Sequence, residues 1–212
     1  MDVLREISER LQRGDHEHVS ALTRKATQEK IPPKQILDEG LIDGMNVIGE
    51  RYKNHEIFLP QVLLAAKAMY AGMDLLRPLF TKGAMPTRGK VVLGTVQGDL
   101  HDIGKNLVGI MLKGAGFEVV DLGNDVSPER FVQAAKAENA SVIGMSALLT
   151  TTMPVMKRTV DLLKETGLGE RIKTMIGGAP VSEEFASSIG ANAYGYDSVK
   201  AVEIAKTIVT SA

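Results

Sequence analysis

Two rhythms divide the apolar positions of this chain. Up to about residue 80 they recur at helical spacing, with no strand-like alternation. Val3, Leu4, Ile7 and Leu11 share one helical face, which Gly14 and Asp15 bring to an end. A second helix is expected over about 16–29, stopped by Ile31, Pro32 and Pro33. The third begins near Pro33, because proline suits a first helical turn, and carries Ile36, Leu37, Leu41, Met45, Ile48 and Tyr52. A fourth starts near Leu59 and Pro60 and carries Leu63, Leu64, Met69, Met73 and Leu76. Four helices joined by short links read as a small bundle.

The pattern then changes. Gly83, Pro86 and Gly89 interrupt both periodicities within the stretch 81–89. The expected organisation is a helical bundle domain over 1–82, a linker over 83–89 and a second domain over 90–212. In that second domain short apolar runs alternate with amphipathic segments. Strands are expected at 90–96, 117–121, 141–145, 173–176 and 193–194, and helices near 103–115, 128–137, 154–166, 183–189 and 198–210. Ser127-Pro128-Glu129 is a good helix start, with a hydroxyl cap, proline first and an acid near the positive end; Ser182-Glu183-Glu184 repeats that logic. A β-α series of this kind argues for an α/β fold, a Rossmann or flavodoxin-like five-stranded parallel sheet with helices on both faces. The strand order 2-1-3-4-5 would put the switch point between the first and third strands. The loops 98–104 and 146–152 would then face one crevice.

Composition narrows the chemistry. The formal net charge is −1, with acids and bases interspersed, so no nucleic-acid or membrane patch stands out. No cysteine is present, which removes disulfides, thiolate zinc sites and thiol nucleophiles together. No apolar run approaches membrane-spanning length and the first residues do not resemble a signal peptide, so a cytoplasmic protein is expected. Ten methionines carry little functional weight, since methionine commonly fills core gaps.

Three loops hold the candidate chemistry. The first, between Gly98 and Gly104, carries Asp99 and His101 two residues apart, among glycines that let backbone approach a ligand. The second runs from Ser146 to Thr152 and has four hydroxyls in seven residues, those of Ser146, Thr150, Thr151 and Thr152. The third is Gly177-Gly178-Ala179-Pro180. An imidazole at the lip of a sheet can be a metal ligand, a general base or an ordinary surface group. A carboxylate two residues away could accept its other ring N–H, fixing the tautomer, and a hydroxyl from the second loop could hold that carboxylate. Hydroxyl runs after strands also serve as helix caps, and Gly-Gly also serves as a plain turn. By themselves these features define a ligand site.

Asp99-Leu100-His101-Asp102-Ile103-Gly104 resembles the Asp-x-His-x-x-Gly signature of cobalamin-binding domains. Ser146-Ala147-Leu148 resembles their Ser-x-Leu, and Gly177-Gly178 their Gly-Gly, in the same order. The N-terminal half is similar to the cap domain of cobalamin-dependent methionine synthase. The whole chain resembles the free-standing corrinoid proteins of anaerobic methyltransferase systems for methylamines, methanol, betaines or methoxylated aromatics. The resemblance implies cobalamin or a related corrinoid bound base-off/His-on, with His101 as the lower axial ligand of cobalt. It implies Asp99 and Thr152 as a relay behind that histidine, where methionine synthase has a serine at the position of Thr152. Gly98, Asp102, Ile103 and Gly104 belong to the same ligand loop. Ser146, Leu148, Thr150, Gly177 and Gly178 would line the crevice for the cofactor and its nucleotide tail. Tyr52 and Leu59 align with residues over the methyl-bearing face, although their seven-residue spacing equally suits core packing. His55, Glu56, His16 and His18 are read as surface residues.

The implied function is a carrier that accepts a methyl group on cobalt(I) from a substrate-specific methyltransferase. It would deliver it as methyl-cobalt(III) to a second methyltransferase, with tetrahydrofolate or a thiol as acceptor, and a reductive activase would serve it. The 81–89 stretch would act as a hinge exposing the cofactor. Two other classes are weighed against this. A hydrolase or lyase using His101 as base lacks a nucleophile elbow, a cysteine or a second histidine near the crevice. A corrinoid-dependent sensor or regulator would need an output module, and neither a basic recognition helix nor an obvious extra domain is present.

Overall fold

The computed structural model describes residues 2–80 and 85–210. They fall into two compact units, the first reaching Pro86 and including residues 114–116, the second beginning at Thr87. Residues 81–84, part of the expected linker and hinge, lie outside the described residues.

The first unit is helical: α1 (Val3–Gln12), α2 (His16–Gln28), α3 (Pro33–Gln35), a π-helical segment (Ile36–Ile42), α4 (Asp43–Lys53), α5 (Leu59–Leu76) and a 3-10 turn (Arg77–Leu79). Asp2 caps α1 by accepting the Leu4 N–H, and the face Val3, Leu4, Ile7, Leu11 is buried as its spacing requires. The third helical stretch is not regular. Its π segment inserts wide turns and buries Ile36, Leu37, Gly40, Leu41 and Ile42 together. A Cβ on Gly40 would lie 3.1 Å from Ile7 Cγ2, so α1 packs closely there.

α5 corrects the sequence reading. Leu63 and Leu64, assigned to its apolar face, are 45% and 51% exposed. The buried stripe is instead Val62, Ala65, Ala66, Ala68, Met69, Gly72 and Leu76. α5 is apolar almost all round, so hydrophobicity alone does not mark the inward face. Residue size does: a Cβ on Gly72 would meet Leu41 Cδ2 at 2.8 Å and Val19 Cγ1 at 3.3 Å.

The second unit follows the expected alternation: β1 (Lys90–Thr95), α6 (Ile103–Gly114), β2 (Glu118–Asp121), α7 (Pro128–Ala137), β3 (Val142–Ser146), α8 (Pro154–Glu165), β4 (Lys173–Gly177), α9 (Glu183–Ile189), β5 (Ala193–Tyr194) and α10 (Ser198–Thr210). All pairings are parallel and the order is β2-β1-β3-β4-β5. Ser127 caps α7 and Ser182 caps α9, each hydroxyl accepting an N–H three residues on.

Both faces of the sheet are covered, so its central strands are apolar runs rather than alternating ones. Val92, Ile143 and Ile176 pack with Phe131 of α7, Met156 of α8 and Ile189 of α9. On the other face Leu93 meets α6 where Gly109 leaves space. Register brings Thr95 beside Ser146 and Ser146 beside Gly177, so the three candidate loops leave adjacent strand ends.

Gly94 faces Phe131, and a Cβ there would lie 2.9 Å from two of its ring carbons. Gly94→Ala is expected to lower the unfolding free energy by about 1–3 kcal/mol through overpacking. Denaturant titration should show this loss, partly recovered when Phe131→Leu is added to the same chain.

Candidate functional site

The loop after β1 turns through Gly98, whose φ is +84°, immediately before Asp99. Asp99 is fully buried. Its Oδ1 accepts the His101 backbone N–H at 3.0 Å and lies 2.8 Å from His101 Nδ1. Its Oδ2 accepts the N–H groups of Leu148 at 2.7 Å and Leu149 at 3.2 Å, from the loop after β3. The Thr152 hydroxyl lies 3.1 Å from the same oxygen. Burial pushes the Asp99 pKa up, as the largest single influence. The N–H donors of Leu148, His101 and Leu149, with the His101 ring, together outweigh it and hold the carboxyl well below the usual carboxylate range.

An ionised carboxylate only accepts. The Nδ1 proton of His101 therefore points at Asp99, and Nε2 keeps its lone pair. The Thr95 hydroxyl donates to the His101 carbonyl at 2.9 Å, which holds the backbone while the side chain stays 53% exposed. This is a nitrogen donor with its tautomer and direction fixed.

Thr152 is a lesser link than its position in the sequence promises. Its one hydroxyl proton has two acceptors in reach, Asp99 Oδ2 and the Leu149 carbonyl at 2.8 Å, and serves one at a time. The Leu148 and Leu149 amides do the steadier holding. Sequence carries no signal for them, because every residue except proline supplies a backbone N–H.

His101 stands beside a cavity of about 420 Å³, lined also by Leu100, Asp102, Ile103, Gly104, Ser146, Ala147, Leu148, Gly178 and Ala179. A Cβ on Gly104 would enter open space. A Cβ on Gly178, whose φ is +126°, would fall 1.9 Å from the Ala147 carbonyl oxygen, so this wall admits only glycine. Leu100, Ile103 and Leu148 are 70%, 78% and 42% exposed and give the cavity an apolar rim. Leu100 was missed in the sequence, where an isolated leucine between Asp99 and His101 carries no pattern.

The donor set tests what could sit here. Among the described residues no group of three or more His, Asp or Glu could hold a metal ion. A bare cation would gain one nitrogen from His101 and little else. A metal already carrying its equatorial ligands in a broad, largely apolar ring fits the single nitrogen, the apolar rim and the glycine walls.

Of the other expected site residues, Thr150 is exposed and outside the cavity lining. Gly177 is also outside it; a Cβ there would meet the Gly195 carbonyl oxygen at 2.6 Å, so the backbone after β5 requires this glycine. Tyr52 in α4 and Leu59 in α5 are partly exposed, not in the core of the helical unit. His55 and Glu56 are exposed, and His18 pairs with Asp15 at 2.8 Å.

Two family models, each described as a B12 binding domain, match residues 3–77 and 89–204. A dimethylamine corrinoid protein of Methanosarcina barkeri is 43% identical over 98% of both chains. The crystal structure of the methanol:cobalamin methyltransferase complex of the same organism contains a chain 32% identical, with a TM-score of 0.92 over 100% of this chain and 81% of that one. A cobalamin-binding protein of Desulfitobacterium hafniense is 33% identical, with a TM-score of 0.78 over 97% of this chain and 98% of its own.

Asp99→Asn turns an amide N–H toward groups that are themselves donors, and should cost about 1–3 kcal/mol of stability near neutral pH. Because the folded pKa is depressed, the carboxylate's contribution is full above the range of an unfolded aspartate, about 4, and fades as pH falls toward the folded value. Urea titrations of the apo protein should show the gap between wild type and D99N narrowing below about pH 4.

Proposed function

The chain belongs to the corrinoid proteins built from B12 binding domains, which bind cobalamin or a related corrinoid, and from that premise we propose that it is a methyl carrier. The observation that carries this reading is the His101 ring, held by a buried carboxylate at the rim of a glycine-walled cavity, with no multi-residue metal cluster among the described residues. The bound corrinoid would supply a cobalt atom that takes up and gives up a methyl group.

This chain's residues would do the rest. His101 Nε2 would be the protein nitrogen that binds the cobalt, taking the place of the cofactor's own base. Asp99 favours the neutral tautomer with its proton on Nδ1, which would leave Nε2 as the nitrogen able to bind. Thr152 supports Asp99 when its proton is turned that way. Gly98, Asp102, Ile103, Gly104 and Leu148 shape the ring seat. Ser146 and Gly178, which line the cavity, would meet the nucleotide tail.

A carrier of this kind works between partners: a substrate-specific methyltransferase, a second methyltransferase using a folate or thiol acceptor, and a reductive activase. Support for the first comes from a relative named for dimethylamine and from the chain found within the methanol:cobalamin methyltransferase complex. No described helix is long and apolar enough to cross a membrane.

The test is reconstitution with hydroxocobalamin, followed by desalting and absorption spectroscopy. Wild type should retain the corrinoid, with a spectrum that changes in His101→Ala. That variant should also bind at least about tenfold more weakly, on the scale typical of groups that tune a metal site. A folded wild type that retains no corrinoid would refute the carrier. Once loaded and reduced, the protein should accept methyl groups only when a substrate-specific methyltransferase and its substrate are added.

A further inference from the structure

The loop that carries His101 is held from outside by a segment with no assigned role. Residues 121–126 run beside the exit of β1: the Leu122 N–H donates to the Leu93 carbonyl at 2.8 Å, and the Val126 N–H to the Thr95 carbonyl at 3.0 Å. From this track two side chains reach the histidine loop at its two ends. Asp125 Oδ1 accepts the Gly98 N–H at 2.7 Å. Asp121 receives Lys105 Nζ at 2.7 Å on both oxygens, and Lys105, in the first turn of α6, is 3% exposed. Asp121 Oδ1 also accepts the Gly123 N–H at 2.9 Å, which ties the two anchors together.

Asp125 itself sits at φ +53°, uncommon outside glycine. Aspartate tolerates that region better than most residues, and its short side chain here reaches Gly98, 27 residues earlier in the chain. The Asp125 N–H meanwhile donates to the Asp99 carbonyl at 3.1 Å. One residue therefore grips both Gly98 and Asp99, immediately before His101.

We propose that the 121–125 segment is a splint for the histidine loop, with Asp125 as a positioning residue that acts on His101 through Gly98 and Asp99. Gly98 can adopt either sign of φ at little cost. Without the Asp125 carboxylate its peptide is free to turn, and Asp99 and the ring it aims move with it. Lys105 and Asp121 close the other end, so the loop cannot relax by sliding along α6. The inference rests on His101 being the axial ligand.

The experiment uses full-length protein labelled with [15N]histidine, loaded with hydroxocobalamin and reduced to cobalt(II). Electron paramagnetic resonance then separates a doublet from the labelled histidine from the triplet of the cofactor's own unlabelled base. Wild type should give the doublet and His101→Ala should lose it. Asp125→Ala should lose much of the doublet and bind corrinoid about tenfold more weakly or worse, as outer residues of metal sites do. In the apo protein its Gly98 amide should exchange faster. Asp125→Asn keeps an oxygen for Gly98 and suits the positive φ, so it should restore doublet, affinity and protection. Full doublet and wild-type affinity in Asp125→Ala would overturn the splint, as would a loss that Asp125→Asn does not restore. Absence of the doublet in wild type would overturn the ligand assignment itself, a result distinguishable from failure of the splint alone.

Discussion

Everything distinctive about the α/β unit converges on one buried carboxylate. Asp99 has no access to solvent, yet it stays ionised because donors from two loops share its two oxygens. Those loops leave β1 and β3, which are neighbours only because the chain crosses back over β1 after β2. The parallel order thus has a chemical consequence. It brings the Leu148 and Leu149 amides to an acid 49 and 50 residues earlier in the chain, and that acid fixes which nitrogen His101 presents.

Much of this could be read before any coordinates. The five strands and their order follow from apolar runs separated by amphipathic helices. Caps at Ser127 and Ser182 follow from hydroxyl, proline and acid placement. Asp99 and His101 could be paired because two residues on a tight turn are necessarily close. The harder part involved atoms that every residue possesses. Nothing in the letters Leu148 and Leu149 indicates that their N–H groups hold Asp99. Lys105 and Asp125 were equally silent, since their partners lie 16 and 27 residues away and exposed charges are common.

The helical unit shows a different limit. α5 offers apolar residues on every side, so a reading by hydrophobicity chose the large leucines. The fold chose small residues, because Gly72 is where Leu41 and Val19 come in. The π segment at 36–42 has a similar origin. Its residues look like ordinary helix formers, and packing of five of them at once sets the wider turn. Where volume decides, a scale of polarity gives the wrong face.

The rim of the cavity bears on what kind of work the site does. Leu100 and Ile103 are among the most exposed large apolar residues described, and an apolar ligand that covers them gains hydrophobic free energy in proportion to the area removed from water. Retention of a corrinoid would therefore draw on the apolar rim and the glycine walls as well as on His101. That division suits the proposed carrier. Apolar walls would hold a broad ring independently of the single nitrogen that His101 could offer it. The buried Asp99 holds the imidazole by its Nδ1, 2.8 Å from Oδ1, and so keeps the ring in one direction whatever the site contains.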